Sequence, residues 1–138
     1  MKMEERKVLD SWAMLAWLLD QPAASRVEAL LERAEVGKLQ LSMSWVNVGE
    51  VYYMTSRKLG AQQAEEFHSR LPSLPVRLVL PDAAEVIQAA KLKARYRISY
   101  ADAFAASLAM RENAALVTGD PELRALGEVV TVDWIGLP

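Results

Sequence analysis

Short apolar segments alternate with longer amphipathic segments along the chain, and this alternation most constrains the fold. Five segments have the composition of β-strands: residues 7–9, 39–43, 76–80, 115–118 and 129–132. Strands separated by helices favour right-handed crossovers, which produce a mostly parallel sheet covered by helices on both faces. We therefore predict an α/β fold, a three-layer α/β/α sandwich around a five-stranded sheet.

Helical periodicity and helix-end signals occupy the segments between the strands. Capping residues, prolines at helix starts and glycines at helix ends mark the boundaries. The predicted helices span residues 12–19, about 25–36, 45–59, 61–71, about 83–95, 99–110 and 121–126. The chain has 138 residues, the usual size of one domain, so we predict a single domain over residues 1–138.

Composition excludes several kinds of site. The chain has no cysteine, which rules out disulfides, thiolate metal sites and a cysteine nucleophile. His68 is the only histidine, so one chain cannot form a two-histidine acid–base ribonuclease site or a multi-histidine zinc site. No signal peptide or membrane-length apolar run is recognisable, and we expect a cytoplasmic protein with no membrane contact. The net charge of −2 gives no overall positive field of the kind that indicates nucleic-acid binding.

Four carboxylates stand alone in apolar surroundings. Asp10 is the only charge between Val8 and Leu19, and Glu50 is the only charge between Leu41 and Ser56. Two further acids have the same setting, Asp102 between residues 101 and 110 and Asp120 between residues 113 and 121. Unpaired charges are rarely buried without compensation, so four such acids on four different elements suggest one shared site.

The predicted topology can bring these acids together. Asp10 and Asp120 follow the first and fourth strands, and in a sheet ordered 3-2-1-4-5 those strands flank the point where the winding reverses. Ligands bind at that point, outside the carboxyl ends of the strands. The helix with Asp102 leads into the fourth strand, and the helix with Glu50 leaves the second. Both acids can therefore reach the same crevice.

Each aspartate also has a purely structural explanation. Asp10 and Asp120 stand at helix N-cap positions, and Pro121 suits the first position of a helix after Asp120. Asp102 stands three residues after Ser99, which is the spacing of a capping box. Capping explains each aspartate about as well as chemistry does. Glu50 lies within a helix, where capping cannot explain it.

A cluster of carboxylates must either hold protons or bind a cation, because like charges repel. Two unit charges ~4 Å apart cost ~4 kcal/mol at an effective dielectric constant of ~20. An all-oxygen ligand set suits a hard ion such as Mg²⁺ or Mn²⁺. Such an ion can activate water and neutralise a phosphodiester, so the acids are consistent with metal-dependent hydrolysis of a nucleic acid.

Four motifs, in this order along almost the whole chain, resemble the PIN-domain ribonucleases and above all the VapC-type toxins of toxin–antitoxin pairs. They are V-L-D-S, N-V-G-E, S-Y-A-D-A-F-A-A-S-L-A and L-V-T-G-D-P-E-L. The resemblance implies a sheet of order 3-2-1-4-5 and an Mg²⁺- or Mn²⁺-dependent endoribonuclease that leaves a 5′-phosphate. It also implies a homodimer held inactive by a small antitoxin protein.

Carried over residue by residue, the resemblance assigns catalysis and metal binding to Asp10, Glu50, Asp102 and Asp120. Ser11 and Thr118 match the small hydroxyl positions beside these acids. One departure is G-D-P-E-L, where many family members have a second aspartate after the first. Glu122 then serves either as an accessory acid or only as a first-turn helix acid. The pattern is consistent with one metal ion or two.

Four basic residues immediately precede the Asp102 helix and are candidates for RNA phosphate contacts, although such a run is also typical of a solvated helix face. They are Lys91, Lys93, Arg95 and Arg97. Aromatic residues are concentrated on the first and third helices, and core packing explains most of them. Because the adjacent Tyr52 and Tyr53 cannot both face inward, an apolar groove for a partner helix or extended segment is the alternative.

Two other functions compete with the ribonuclease. A non-catalytic binding module would keep the fold, and an aspartate-based phosphotransfer protein would use Asp10 as a nucleophile. In the latter class a second acid commonly follows two residues on, where this chain has Trp12.

Overall fold

The structure, a computed structural model, describes residues 4–138, so residues 1–3 of the predicted domain lie outside it. Its sheet contains five strands in the order β3-β2-β1-β4-β5, and every neighbouring pair is parallel. The strands are β1 Arg6–Leu9, β2 Gln40–Ser44, β3 Val76–Val79, β4 Ala115–Thr118 and β5 Val132–Trp134. The predicted fold class and strand order are confirmed.

Six α-helices connect these strands. They are α1 Ser11–Leu18, α2 Ala24–Glu35, α3 Trp45–Leu59, α4 Ala61–Arg70, α5 Ala83–Arg95 and α6 Tyr100–Glu112. Two 3₁₀-helices, Leu71–Ser73 and Pro121–Glu128, complete the connections. Within the described residues no helix is long and apolar enough to cross a membrane.

The central strand β1 is buried on both faces, as expected for a parallel sheet covered by helices. Val8 belongs to the core formed with α5, α6 and the second 3₁₀-helix, whereas Leu9 belongs to the core formed with α1 to α4. Both side chains are completely buried. Because β1 packs against a core on each face, its position is fixed. Asp10 directly follows β1, so its backbone is fixed as well.

Helix α6 approaches the sheet closely because its inward face is built from small residues. Ala103, Ala105, Ala106 and Ala109 are all completely buried. The helix ends at Asn113, whose left-handed conformation (φ 51°) turns the chain into β4. Its first turn therefore lies above the carboxyl ends of the strands, and Asp102 lies in that turn.

The predicted fifth strand at residues 129–132 is placed too early. The preceding 3₁₀-helix extends to Glu128, and the N–H groups of Val129 and Val130 both donate to Leu126 O, at 2.9 and 3.0 Å. Those two valines therefore end the helix and are not available for sheet pairing. Strand β5 begins at Val132, which pairs with Leu116 of β4.

Gly119, between β4 and Asp120, is in close contact with the indole of Trp12. A Cβ added at this glycine would overlap the six-membered ring of Trp12. The side chain of Trp12 also lines a groove on the outer surface of α1 and α3. The absence of a side chain at position 119 therefore lets Trp12 pack directly against the turn that carries Asp120.

We predict that Gly119→Ala destabilises the protein by overpacking this contact, by about 1–3 kcal/mol. The midpoint of thermal unfolding would fall by roughly 3–10 °C, measured by circular dichroism. Gly127→Ala is the matched control, because a Cβ at that exposed glycine meets no atom within 4 Å. Equal melting temperatures for the two variants would contradict the proposed close contact.

Candidate active site

Asp10 lies at the start of α1 and is completely buried. Its Oδ1 accepts a hydrogen bond from the backbone N–H of Ala13 at 2.8 Å, so the residue is the N-cap of α1. Its own N–H donates to Val117 O of β4 at 3.3 Å, which ties it to the neighbouring strand. Oδ2 is buried and has no hydrogen-bond partner among residues 4–138. Capping thus uses one oxygen of this carboxylate and leaves the other available.

Asp102 lies in the first turn of α6 and is 7% exposed. Its backbone N–H donates to Ser99 Oγ at 3.1 Å, so Ser99 is the N-cap and fixes this turn. Hydrogen bonding by Ser99 in turn lowers the pKa of the Asp102 carboxyl, as in the capping box that the spacing predicts. One oxygen of this carboxylate also lies within 4.8 Å of two other acids.

Asp120 and Glu122 approach Asp102 from the turn after β4. The N–H of Asp120 donates to Thr118 Oγ1 at 3.1 Å, and its Oδ1 accepts from the N–H of Glu122 at 3.0 Å. One carboxylate oxygen from each of Asp102, Asp120 and Glu122 lies within 4.8 Å of the other two. Asp102 is buried, Asp120 is half-buried and Glu122 is exposed, so the cluster opens to solvent.

Asp10 and Glu50 lie near this group without belonging to it. The charges of Asp102 and Asp120 both raise the pKa of Asp10, and the charge of Glu50 raises the pKa of Asp102. Glu50 is half-buried on α3 and accepts a hydrogen bond from the hydroxyl of Tyr53 at 3.3 Å. The four predicted acids therefore converge on one edge of the sheet, and Glu122 joins them.

Burial raises the pKa of two carboxyl groups of the site, Asp10 and Asp102. Burial, above all, raises the pKa of Asp10 to about 8, against the opposing effects of the Thr118 hydroxyl and the Ala13 N–H. Burial likewise raises the pKa of Asp102 to about 6, against the opposing effect of Ser99. The charges of the neighbouring acids raise both pKa values further.

The two predicted hydroxyl residues occupy different environments. Thr118 is completely buried; its hydroxyl lowers the pKa of Asp10 and accepts a hydrogen bond from the N–H of Asp120. The hydroxyl of Ser11 instead accepts a hydrogen bond from Asn47 Nδ2 at 3.0 Å. Ser11 therefore links α1 to α3 and forms no hydrogen bond with the acids in the described part of the chain.

Sequence reasoning missed Asn47 as a site residue. It is completely buried on α3, and its Nδ2 also donates to Ala101 O, at 3.0 Å. The available signal was its position in N-V-G-E, where an amide occupies the inward face of an apolar helix one turn before Glu50.

The predicted basic residues lie at the end of α5 and in the connection to α6, close to the turn with Asp102. Lys93 Nζ donates to Ile98 O at 2.9 Å, and Arg95 pairs with Glu128 at 3.0 Å. Lys91 and Arg97 are exposed.

The residues present fit a divalent cation. The donors are all carboxylate oxygens. Asp10 Oδ2 is buried and has no hydrogen-bond partner among the described residues. One oxygen from each of Asp102, Asp120 and Glu122 lies within 4.8 Å of the other two. Hard cations that take oxygen ligands suit such a set.

Comparison with known sequences agrees with this geometry. The family model described as PIN domain matches residues 7–129, which is most of the chain. The chain belongs to the PIN domain family. No curated protein sequence matches it significantly.

Solved structures of VapBC and VapC proteins share its fold. VapBC2 from Rickettsia felis, bound to a promoter DNA fragment, is 18% identical, with a TM-score of 0.72 over 93% of this chain and 97% of that chain. VapC20 from Mycobacterium tuberculosis, a toxin that cleaves the sarcin–ricin loop, is 18% identical, with a TM-score of 0.72 over 88% and 95%. VapBC-1 from nontypeable Haemophilus influenzae is 20% identical, with a TM-score of 0.67 over 94% and 98%.

The raised pKa of Asp10 predicts how stability depends on pH in metal-free protein. The folded state keeps a proton that the unfolded chain loses above its ordinary pKa of 3.8, so this contribution is lost as the pH rises to about 8. Asp10→Asn removes the titration. Its melting temperature relative to wild type should therefore increase between pH 5 and pH 8, measured by calorimetry with chelator present.

Asp20→Asn makes the same chemical change at an exposed residue. The left-handed conformation there (φ 51°) accepts asparagine. This control should follow the wild-type pH profile. A wild-type profile parallel to that of Asp10→Asn would show that Asp10 does not titrate in this range.

Proposed function

We propose that this chain is a divalent-metal-dependent endoribonuclease that hydrolyses RNA phosphodiester bonds and acts as the toxin of a toxin–antitoxin pair. The observation that carries the proposal is the convergence of Asp10, Asp102 and Asp120 from three separate elements. Two of these acids have pKa values of about 8 and about 6, raised mainly by burial. A bound cation would compensate such groups when they are ionised, and a phosphodiester is the matching anionic substrate.

In this proposal Asp10, Asp102 and Asp120 hold Mg²⁺ or Mn²⁺ directly or through its waters, and Glu50 completes the shell or orients the attacking water. A bound divalent ion would supply an activated water and neutralise charge on the phosphate. Thr118 positions Asp10 and Asp120 relative to each other. Glu122 is an accessory ligand, supported by its distance of less than 4.8 Å from the other two acids of the cluster.

Substrate contacts are proposed for the basic segment before α6. Lys91 and Arg97 are the better candidates for RNA phosphates, because Lys93 and Arg95 already have intramolecular partners. A phosphate bound there would lie on the same side of the molecule as the first turn of α6. Its scissile bond could then reach the acids.

An antitoxin protein is the proposed partner, supported by the similarity to structures of VapBC complexes. A groove of about 630 Å³ is a suitable place for an apolar segment with acidic flanks, since Arg26 and Lys58 lie among its lining residues. Trp12 lines this groove and also packs against Gly119, in the turn that carries Asp120. A bound partner would therefore contact a residue packed against the site.

A homodimer is also proposed, supported by exposed apolar residues at the end of β3 and on α5. Leu80 is 77% exposed and Ile87 is 56% exposed, and such a surface suits a second copy. Light scattering after size exclusion tests this assembly. A monomer at micromolar concentration would argue against it.

The principal test is cleavage of total cellular RNA with Mg²⁺ or Mn²⁺ and with chelator. Wild type should cleave only with metal and leave 5′-phosphate ends, and Asp10→Asn should lose at least 10²-fold in rate, since metal-dependent electrostatic catalysis has this magnitude. Asp20→Asn should retain full activity. Undiminished cleavage by Asp10→Asn would refute the assignment.

The phosphate contacts predict a change in binding rather than in chemistry. Lys91→Gln should raise the KM for RNA, leave kcat unchanged and reduce the dependence of the KM on salt, because one counterion-releasing contact is lost. Lys38→Gln removes an exposed charge just before β2, at the opposite edge of the sheet, and should have no effect. If the KM for RNA depends equally on salt in both variants, RNA does not contact Lys91.

Two measurements separate the ribonuclease from its alternatives. A non-catalytic module need not bind Mn²⁺ at the acids, and a phosphotransfer protein would form a phosphorylated Asp10. The first is tested by titration with Mn²⁺, and the second by incubation with a phosphoryl donor followed by mass spectrometry.

A further inference from the structure

One buried carboxamide connects three of the elements that carry the acids. Asn47 on α3 is completely buried. Its Nδ2 donates to Ser11 Oγ at 3.0 Å and to Ala101 O at 3.0 Å, so both amide hydrogens have partners. The hydroxyl of Ser11 returns a hydrogen bond to Asn47 O at 3.4 Å. Helices α1, α3 and α6 therefore meet at this side chain.

Both partners of Asn47 lie directly beside an acid in the chain, and Asn47 lies three residues before another. Ser11 directly follows Asp10, and Ala101 directly precedes Asp102. Glu50 lies three residues after Asn47, so the two side chains share one face of α3. A displacement of Asn47 would change the separations of all three acids together.

The chemistry of an amide suits this position better than that of a charged residue. The acids repel one another, so some contact must hold their elements together before a metal ion arrives. A lysine or arginine could do so, but its charge would pair with the carboxylates and compete with the cation. A neutral donor with two hydrogens joins two elements without that competition.

Stability alone does not account for the amide. Asn47 Oδ1 is buried and has no hydrogen-bond partner among residues 4–138. A buried unsatisfied polar atom costs about 1–3 kcal/mol, whereas an apolar side chain of similar shape would avoid this cost. An asparagine is therefore best explained by what its two donors position.

We propose that Asn47 is a positioning residue that fixes the separations of Asp10, Glu50 and Asp102 through its hydrogen bonds to Ser11 and Ala101. The proposal rests on the metal-dependent function proposed above. It assigns Asn47 no direct contact with the metal ion or with RNA.

The test compares Asn47→Ala with Thr55→Ala. Thr55 is the matched control, because it is also a buried polar residue of α3, and it lies about two helical turns further on. Asn47→Ala should weaken Mn²⁺ binding about 10–100-fold, the usual effect of losing a group that orients metal ligands. Free Mn²⁺ is measured by electron paramagnetic resonance. Thr55→Ala should bind Mn²⁺ within threefold of wild type.

Kinetics and hydrogen exchange separate positioning from general destabilisation. Asn47→Ala should lower kcat at least tenfold and change the KM for RNA less than threefold. Amide exchange in metal-free protein should accelerate in the first turns of α1 and α6 in Asn47→Ala, and in neither turn in Thr55→Ala. These exchange rates test the positioning role of Asn47 without a measurement of nuclease activity.

The single variant Ser11→Ala covers the case in which Asn47→Ala does not fold, and a double-mutant cycle applies where both variants fold. Ser11→Ala removes one of the two hydrogen bonds that Asn47 Nδ2 donates. It should also weaken Mn²⁺ binding, but by less than Asn47→Ala does. Where both variants fold, their combined effect should be smaller than the product of the single effects, because they disrupt one network.

Two failures are distinguishable. Wild-type protein that binds no Mn²⁺ would overturn the proposed function and this role with it. Wild-type protein that binds Mn²⁺ and cleaves RNA, together with a folded Asn47→Ala that does both equally well, would overturn the role of Asn47 alone.

Discussion

Repulsion between carboxylates at one edge of the sheet is the constraint on which the other features of the site depend. Asp10 and Asp120 follow adjacent parallel strands, and Asp102 is brought above them by a helix of small buried residues. The cores on both faces of β1 supply the burial that holds these groups together. Burial also makes the arrangement costly when the acids are ionised, as the raised pKa values of Asp10 and Asp102 show.

Helix capping is part of how the acids are held. Asp10 uses Oδ1 to cap α1 and keeps Oδ2 free, and Asp120 uses Oδ1 to cap the following 3₁₀-helix. Ser99 is the N-cap of the Asp102 helix, and its hydrogen bonding lowers the pKa of the Asp102 carboxyl. The two explanations weighed for each aspartate are therefore compatible for Asp10 and Asp120, because a cap needs only one oxygen. The same hydrogen bonds that stabilise the helix starts orient the remaining oxygens toward a shared space.

Much of this could be predicted from the sequence, because isolated acids in apolar runs and the alternation of strands with helices are local signals. Strand order and the convergence of the acids follow from those signals together with the motifs. The predicted start of β5 is wrong, because Val129 and Val130 suit a strand as well as a helix end. Only their hydrogen bonds to Leu126 O place them at the helix end. The function of Asn47 could not be predicted, because its partners lie 36 and 54 residues away in the chain.

The most direct test of the central claim is the position of Mn²⁺ in a crystal of the wild-type protein, located by anomalous scattering. The account predicts a peak bounded by Asp102, Asp120 and Asp10, with Glu122 or Glu50 within reach through water, and no such peak in Asp10→Asn. Mn²⁺ bound only at other acids, or no peak at millimolar Mn²⁺, would contradict the claim that these carboxylates are gathered to hold a metal ion.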